Sequence, residues 1–488
     1  MSKSEIYFKP FREQIIGSDV SFDTPYGLKK MIYADWAASG RLYQPIENKM
    51  QQEIGPYVAN THTETNFSGS IMTQAYFKAQ HIIKEHVNAG PKDIILTTGS
   101  GMTRVVNKFQ RILGLKLPEK LRKYVSTPEE LRPVIFVTHM EHHSNHTSWM
   151  ETIGDVVCIE PDEQGMVDLT DLDRLLHKYE ERKIKIAAVS AGSNVTGLQP
   201  PYHEIAKRMH KQGGLCFVDF AYSAPYVKID MHPSNEAERL DAIYFSPHKM
   251  LGGPGSAAVL VFDSDLYKNK TPDNPGGGTV KWTNPWGEYS FFDNIEIRED
   301  GGTPAFLQTM KSALSIRLKE KMGIHAMLER EKELVKLLFT GLKNIPGLHI
   351  LAGHLEDRLG VISFYIDGLH YNLGVKLLND LFGIEVRGGC SCAGTYGHYL
   401  LHVSPDYSHK ITEKIDHGDF SEKPGWIRLS VHPVMTEAEI NYIIDAIDNI
   451  AKHHTSWIKD YRYNSHSNEF KHHSESSLKK MVDPWFKF

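Results

Sequence analysis

The chain has 488 residues, of which 41% are hydrophobic and 24% charged, with a formal net charge of −5. This composition is typical of a globular protein with two or three core-forming lobes, and it lacks the positive charge that favours nucleic acid. No apolar run approaches the ~18–20 residues of a membrane span, and the first residues lack the apolar core of a signal peptide. The four cysteines do not suggest a disulfide framework. We therefore expect a cytoplasmic protein without nucleic-acid or membrane partners.

Apolar runs of strand length alternate with helical segments through the first half of the chain. These runs lie at residues 94–96, 134–137, 156–159, 184–190, 215–218, 242–245 and 257–262. The alternation predicts an α/β fold with a mostly parallel sheet, whose ligands bind at the carboxyl ends of the strands.

The pattern also predicts a domain organisation. We expect an N-terminal segment over residues 1–30, a large domain over 31–310, a smaller α+β domain over 311–455 and an extension over 456–488. A long helical segment near residues 307–342 is predicted to join the two domains.

Two loops that follow predicted strands carry polar groups suited to a ligand. The first has a turn at Ser100 and Gly101 before a predicted helix, where free backbone N–H groups favour a phosphate. The second has a histidine cluster around His142, which could stack on a flat ring or be part of a polar surface loop. Adjacent histidines lack the usual spacing of metal ligands, so we predict no metal site.

A lysine and an aspartate follow two further predicted strands. Lys249 lies in a turn rich in Gly and Pro, beside Ser246 and His248, which can bind a phosphate. A lysine fixed at a strand end suits a Schiff base. Asp219 ends a buried strand, and a buried carboxylate needs a partner such as the protonated ring nitrogen of pyridoxal phosphate. The alternatives are a surface lysine before a turn and a helix-capping aspartate.

Together these segments resemble the fold-type I pyridoxal-phosphate (PLP) enzymes of aminotransferase class V, and most of all the cysteine desulfurase and selenocysteine lyase group. The resemblance covers about residues 30–455 and includes the segments 33–39, 193–197 and 301–305. It implies the PLP-dependent transferase fold, with a large domain built on a mostly parallel sheet and a smaller α+β C-terminal domain.

The resemblance also implies a role for each matched residue. Lys249 would form the Schiff base with PLP and later shuttle a proton, Asp219 would pair with the pyridine nitrogen, and His142 would stack on the ring. The other implied cofactor contacts are Ser100, Gly101, Ser246 and His248 at the phosphate, Asn194 at the ring hydroxyl, Tyr222 where the family often has Gln, and Thr303 at the phosphate of a neighbouring subunit.

If Thr303 contacts the phosphate of a neighbouring subunit, as the resemblance implies, the protein would be a homodimer with a shared active site. Arg428, assisted by Arg387, matches the arginine that holds the carboxylate of an amino-acid substrate.

The reaction class depends on Cys392, in the glycine-rich segment 384–395. It falls where cysteine desulfurases carry the nucleophile that takes sulfur from the substrate. The resemblance then implies conversion of L-cysteine to L-alanine, a persulfide on Cys392 and a sulfur-acceptor protein. A thiolate can act in this way if nearby positive charge lowers its pKa.

Two alternatives remain open. Cys392 could be a small packed residue, with the enzyme acting through Lys249 as an aminotransferase, lyase or epimerase. Tyr222 supports this reading, as do Cys390 and Ser391, which stand where desulfurase relatives often have histidines. The other alternative is a non-catalytic scaffold for sulfur transfer, which the intact pair of Lys249 and Asp219 argues against.

Histidines and aromatic residues are interspersed in the extension, residues 456–488. A nucleic-acid-binding or metal-binding tail is one interpretation. We favour an extension that packs its aromatic residues on the core or on a partner subunit, because the positive charge is modest and the histidines lack ligand spacing.

Overall fold

The computed structural model describes residues 2–61, 63–475 and 478–487. The α-helices are α1 Lys3–Arg12, α2 Gln44–Asn48, α3 Phe67–His86, α4 Met102–Ile112, α5 Glu119–Arg122, α6 His143–Met150, α7 Leu169–Lys178, α8 Tyr202–Lys211, α9 Ile295–Arg298, α10 Phe306–Met322, α11 Ile324–Leu342, α12 Tyr371–Phe382, α13 Gly394–Leu400, α14 Pro405–Asp416, α15 Glu437–Trp457 and α16 Lys479–Val482. The strands are β1 Ser21–Thr24, β2 Gly27–Lys30, β3 Ile32–Tyr33, β4 Asp93–Thr98, β5 Val134–Thr138, β6 Asp155–Ile159, β7 Lys185–Ser190, β8 Leu215–Asp219, β9 Ala242–Phe245, β10 Ala258–Asp263, β11 Val280–Thr283, β12 Tyr289–Phe291, β13 Leu348–Ile350, β14 Val361–Ile366, β15 Ile384–Glu385, β16 Arg387–Gly389, β17 Trp426–Ser430, β18 Tyr461–Asn464 and β19 Glu469–His472.

A seven-stranded sheet with the order β4-β10-β9-β8-β7-β5-β6 forms the centre of the large domain. Strands β5 to β9 pair in parallel, and β10 runs antiparallel to both β4 and β9. Each strand overlaps one of the seven apolar runs predicted from the sequence, and most of their residues are buried because helices cover the sheet. The mostly parallel α/β architecture is therefore confirmed.

The smaller domain is built on a four-stranded antiparallel sheet with the order β13-β14-β17-β16. Apolar faces of α12 and α15 supply buried residues to the core of this domain, and α15 begins with a capping box at Thr436 and Glu439.

Residues 32–35, just after the predicted N-terminal segment, are attached to this smaller domain. Strand β3 pairs in parallel with β15, and Asp35, just beyond β3, forms a bridge with Ser430 at the end of β17. This pairing places Asp35 beside Arg428, which lies in the same β17 strand.

The prediction of one long helix at residues 307–342 is wrong in one respect, because the chain forms two helices there. Helix α10 ends at Met322 and α11 begins at Ile324, with Gly323 between them at φ +79°. This left-handed backbone angle interrupts the helical hydrogen bonding, and glycine adopts it without the steric cost that a side chain adds.

The hairpin of the C-terminal extension packs against the smaller domain, as the favoured interpretation expected, whereas Trp485 and Phe486 further along are exposed. Strands β18 and β19 form a hairpin in which Tyr461 and Phe470 are buried. The Tyr461 hydroxyl donates to Asp380 of α12 at 2.9 Å. Residues 476, 477 and 488 of the predicted extension lie outside the described residues.

Among the described helices, we find none long and apolar enough to cross a membrane.

Candidate active site

A cavity of about 300 Å³ lies where the carboxyl ends of β7, β8 and β9 face the smaller domain. Polar side chains and small residues line most of it. It brings together most of the residues predicted from the sequence, namely Gly101, His142, Asn194, Asp219, Tyr222, Ser246, His248, Lys249, Arg387, Cys392 and Arg428.

Lys249 and Asp219 approach the cavity from adjacent parallel strands. Asp219 is the last residue of β8, and Lys249 ends a short 3-10 turn that follows β9. Burial raises the pKa of Asp219 to about 7, and the nearby Lys249 opposes that shift. Burial lowers the pKa of Lys249 to about 8. The amine is therefore much closer to neutrality at physiological pH than an exposed lysine would be.

His142 caps the N-terminus of α6, where its Nδ1 accepts a hydrogen bond from the backbone N–H of Ser144 at 3.1 Å. Burial, with a contribution from Lys249, lowers the pKa of His142 to about 3. The imidazole is consequently neutral at physiological pH, and a neutral flat ring is suited to stacking on another ring.

The predicted phosphate contacts gather at the N-terminus of α4. The Oγ of Ser246 accepts a hydrogen bond from the Met102 N–H at 2.8 Å, which joins the β9 turn to the start of this helix. Gly101 precedes α4 without a side-chain cap. Burial and Lys249 lower the pKa of His248 to about 4. A helix start with a hydroxyl beside it suits a bound phosphate, and the neutral His248 lines the same cavity.

Two arginines share one carboxylate that the sequence interpretation left without a role. Arg428 donates from Nη2 to Oδ1 of Asp35 at 2.7 Å, and Arg387 donates from Nε to Oδ2 of Asp35 at 3.0 Å. A second hydrogen bond joins Nη1 of Arg428 to the backbone oxygen of Asn194 at 3.3 Å. Asp35 therefore fixes the orientation of both guanidinium groups.

Cys392 lies at the mouth of the cavity and is exposed. Ser391 and Cys392 have φ values of +51° and +56°, in the left-handed region that few non-glycine residues adopt. The backbone oxygen of Cys392 accepts a hydrogen bond from the His143 N–H at 2.7 Å. The Asn194 side chain donates to the backbone oxygen of Ser391 at 2.8 Å. The cysteine loop is thus attached to the large domain on both sides.

Two buried polar atoms in the cavity wall have no hydrogen-bond partner among the described residues. They are the hydroxyl of Tyr222, which is 4% exposed, and the Nε of Arg428, which is 3% exposed. Unsatisfied buried donors are costly, and a ligand rich in oxygen atoms would satisfy them. The donor set, the carboxylate of Asp219 and the amine of Lys249 together fit PLP.

Two predicted cofactor contacts do not line this cavity. Ser100 is exposed and directly precedes Gly101. Thr303 lies in the wall of a separate cavity of about 920 Å³, together with Arg104 and Lys108. Its contact with a neighbouring subunit therefore stays a prediction. Among the residues that the structure describes, no group of three or more His, Cys, Asp or Glu side chains could hold a metal ion.

Residues 32–443 match the family described as Aminotransferase class-V. The chain belongs to this family and is a PLP-dependent enzyme. It is 29% identical over 370 residues to a probable cysteine desulfurase of Staphylococcus epidermidis. The aligned region covers 75% of this chain and 84% of that protein. A probable cysteine desulfurase of Staphylococcus aureus is 27% identical over the same shares of the two chains.

Solved structures show the same fold. A cysteine desulfurase from Thermococcus onnurineus has a TM-score of 0.70 at 22% identity, with 86% of this chain and 95% of that chain covered. The cysteine desulfurase CsdA from Escherichia coli has a TM-score of 0.70 at 21% identity, with 91% and 98% covered. The predicted PLP-dependent transferase fold is confirmed by these likenesses.

Proposed function

We propose that this protein is a cysteine desulfurase that converts L-cysteine to L-alanine and receives the sulfur on Cys392. The observation that carries the proposal is one cavity that holds Lys249, Asp219, Arg428 and the thiol of Cys392. The similarity to probable cysteine desulfurases supports the same activity.

Each residue has a task that its surroundings support. PLP, when bound, acts as an electron sink for the amino acid. Arg428 would hold the substrate carboxylate, since its buried Nε is free while its other nitrogens are fixed by Asp35 and Asn194. Lys249, with a lowered pKa, would move a proton at the substrate α-carbon. Asp219 would carry the negative charge opposite the ring nitrogen.

Cys392 would attack the substrate sulfur as a thiolate. Its loop is attached to the large domain through His143 and Asn194, and the Arg387 guanidinium lines the same cavity. The step forms the bond between the two sulfur atoms and breaks the bond between carbon and sulfur in the substrate, so a persulfide remains on Cys392.

The proposal includes a homodimer, in which Thr303 of one subunit approaches the phosphate site of the other. It rests on the resemblance and on the position of Thr303 outside its own subunit's Lys249 cavity. Sedimentation of the wild type would show a dimer, and a monomer with full activity would contradict this part.

The activity is tested by measuring alanine and sulfide released from L-cysteine in the presence of dithiothreitol. We expect both products in equal amounts from the wild type, and neither from Cys392→Ala, although this variant keeps the absorbance of bound PLP. Cys158→Ala is the matched control, because Cys158 lies in β6 and does not line the cavity. Equal alanine and sulfide from Cys392→Ala and the wild type would contradict the proposal.

A second candidate is an aminotransferase, lyase or epimerase that uses Lys249 without a catalytic thiol. Tyr222 in place of the usual Gln favours it, as do Cys390 and Ser391 where desulfurase relatives often have histidines. In that case amino acids would change the PLP spectrum of the wild type and of Cys392→Ala alike, and no sulfide would be released from L-cysteine.

A further inference from the structure

A second depression, which we call the outer groove, adjoins the candidate active site and has a volume of about 810 Å³. Arg387, Ser391 and Cys392 line both the active-site cavity and the outer groove. Cys392 therefore stands between the two spaces, with Lys249 on one side and the outer groove on the other.

Part of the wall of the outer groove comes from the C-terminal hairpin. His466, Asn468, Phe470 and Lys471 belong to this hairpin and line the groove. They lie beyond residue 443, where the match to the Aminotransferase class-V family ends. This part of the groove wall therefore lies outside the residues that match the family.

The outer groove carries more positive than negative charge. Its lining includes four cationic side chains, Lys376, Arg387, Lys423 and Lys471, and two carboxylates, Glu469 and Glu475. Lys376 pairs with Glu475 at 3.1 Å, and Arg387 pairs with Asp35. No carboxylate within the described ranges forms an ion pair with Lys423 or Lys471, so these two ammonium groups are available to a ligand.

Lys423 lies close to the cysteine loop. Burial lowers the pKa of His143, and the charge of Lys423 lowers it further. The backbone N–H of His143 donates a hydrogen bond to the backbone oxygen of Cys392 at 2.7 Å. Lys423 also covers the ring of Phe420, which lines the groove with it. A ligand that pairs with Lys423 would hold its remaining atoms near the thiol of Cys392.

We propose that the outer groove binds an anionic low-molecular-weight thiol of peptide size, which removes the sulfur from Cys392. This inference rests on the proposed function. Its support is the shared position of Cys392, the unpaired Lys423 and Lys471, and a volume within the range of about 300–1,000 Å³ usual for small-molecule sites.

The transfer step balances without a further oxidant or reductant. The acceptor thiolate attacks the outer sulfur of the Cys392 persulfide and forms a new bond between sulfur atoms. The bond between that outer sulfur and Sγ of Cys392 breaks, and Cys392 leaves as a thiolate. The acceptor becomes a persulfide, and the proton stays on the transferred sulfur.

Glutathione and its diethyl ester serve as probes, because they share one thiol and differ in negative charge. We would load the PLP-bound enzyme with L-cysteine, quantify alanine from the first turnover, and then measure the rate at which each thiol removes the persulfide. We expect the wild type to react faster with glutathione than with the diethyl ester. Lys423→Glu and Lys471→Glu should each lower the ratio of the glutathione rate to the ester rate by about tenfold. They should also weaken the dependence of this ratio on salt. Comparing ratios between variants cancels the intrinsic difference in reactivity of the two thiols.

Lys336→Glu is the charge-matched control, since Lys336 is exposed on α11 and lines a different depression. It should leave the ratio unchanged. A ratio in Lys423→Glu and Lys471→Glu equal to that of the wild type, or the same loss of preference in Lys336→Glu, would overturn the inference while alanine formation upheld the proposed function. Absence of alanine in the first turnover would instead overturn the proposed function, and the inference with it.

Discussion

Asp35 is the residue whose contacts add most to the predicted active site. It accepts hydrogen bonds from Arg387 and Arg428, and its partners lie 352 and 393 residues away in the sequence. The segment around Asp35 resembled the family, but no local pattern could show which side chains its carboxylate meets. The pairing of β3 with β15 and the bridge between Asp35 and Ser430 bring these groups together.

We predict that Asp35→Asn weakens substrate binding. The side chain keeps its size but loses the charge that orients two guanidinium groups, and removing one partner of a buried charge pair costs on the order of 2 kcal/mol or more. Steady-state kinetics with L-cysteine should show a rise in KM of about thirtyfold with a smaller change in kcat. An unchanged KM would show that Asp35 does not position Arg428 for the substrate carboxylate.

Lys249 gives a prediction for the dependence of cofactor loading on pH. Covalent capture of PLP requires the neutral amine, and a group with a pKa of about 8 is neutral in about one-tenth of molecules at pH 7 and in most at pH 9. The rate at which the PLP-free protein regains the absorbance of bound PLP should rise about tenfold between these values and then level off. A rate that continues to rise tenfold per pH unit above pH 9 would indicate an ordinary lysine pKa.

At the scale of secondary structure, the break between α10 and α11 depends on Gly323. An added Cβ would meet no atom closer than 3.7 Å, so the cost of a side chain comes from the positive φ rather than from a clash. We predict that Gly323→Ala lowers the free energy of unfolding by about 1 kcal/mol in urea titrations. Gly277→Ala, at an open position without a positive φ, is the control. An equal stability of the two variants would contradict this explanation of the break.

The C-terminal hairpin should depend on Phe470, which is 8% exposed and packs against the rings of Tyr463 and His370. Truncation of a buried aromatic residue costs about 3–5 kcal/mol. In Phe470→Ala we therefore expect hydrogen exchange of the amides in β18 and β19 to accelerate strongly. Trp485→Ala removes an aromatic side chain that is 68% exposed and should leave this exchange unchanged. Unchanged protection in Phe470→Ala would show that other contacts hold the hairpin.

For the whole molecule, the sequence predicted the large sheet better than the contacts between domains. All seven apolar runs form strands of one sheet because buried parallel strands need continuous apolar residues, and this signal is local. The strand ends also indicated where Asp219 and Lys249 would lie. The break at Gly323 was missed because an isolated glycine within a helical pattern is usually tolerated.

The contacts that complete the cavity could not be predicted in the same way, because they join distant parts of the chain. The carboxylate of Asp35, the unsatisfied Nε of Arg428 and the outer groove at Cys392 arise where the N-terminal segment, the smaller domain and the C-terminal hairpin meet the large domain. Such positions follow from tertiary packing, which residue spacing along the chain does not specify.

The most direct test of the account is the mass of the peptide that contains Cys392 after the PLP-bound enzyme has reacted with L-cysteine in the absence of reductant. Alkylation before digestion would preserve a persulfide. We predict that this peptide gains the mass of one sulfur atom, in an amount equal to the alanine formed, and that the peptide containing Cys158 does not. Alanine formation without added sulfur on Cys392 would contradict the central claim that this thiol receives the sulfur.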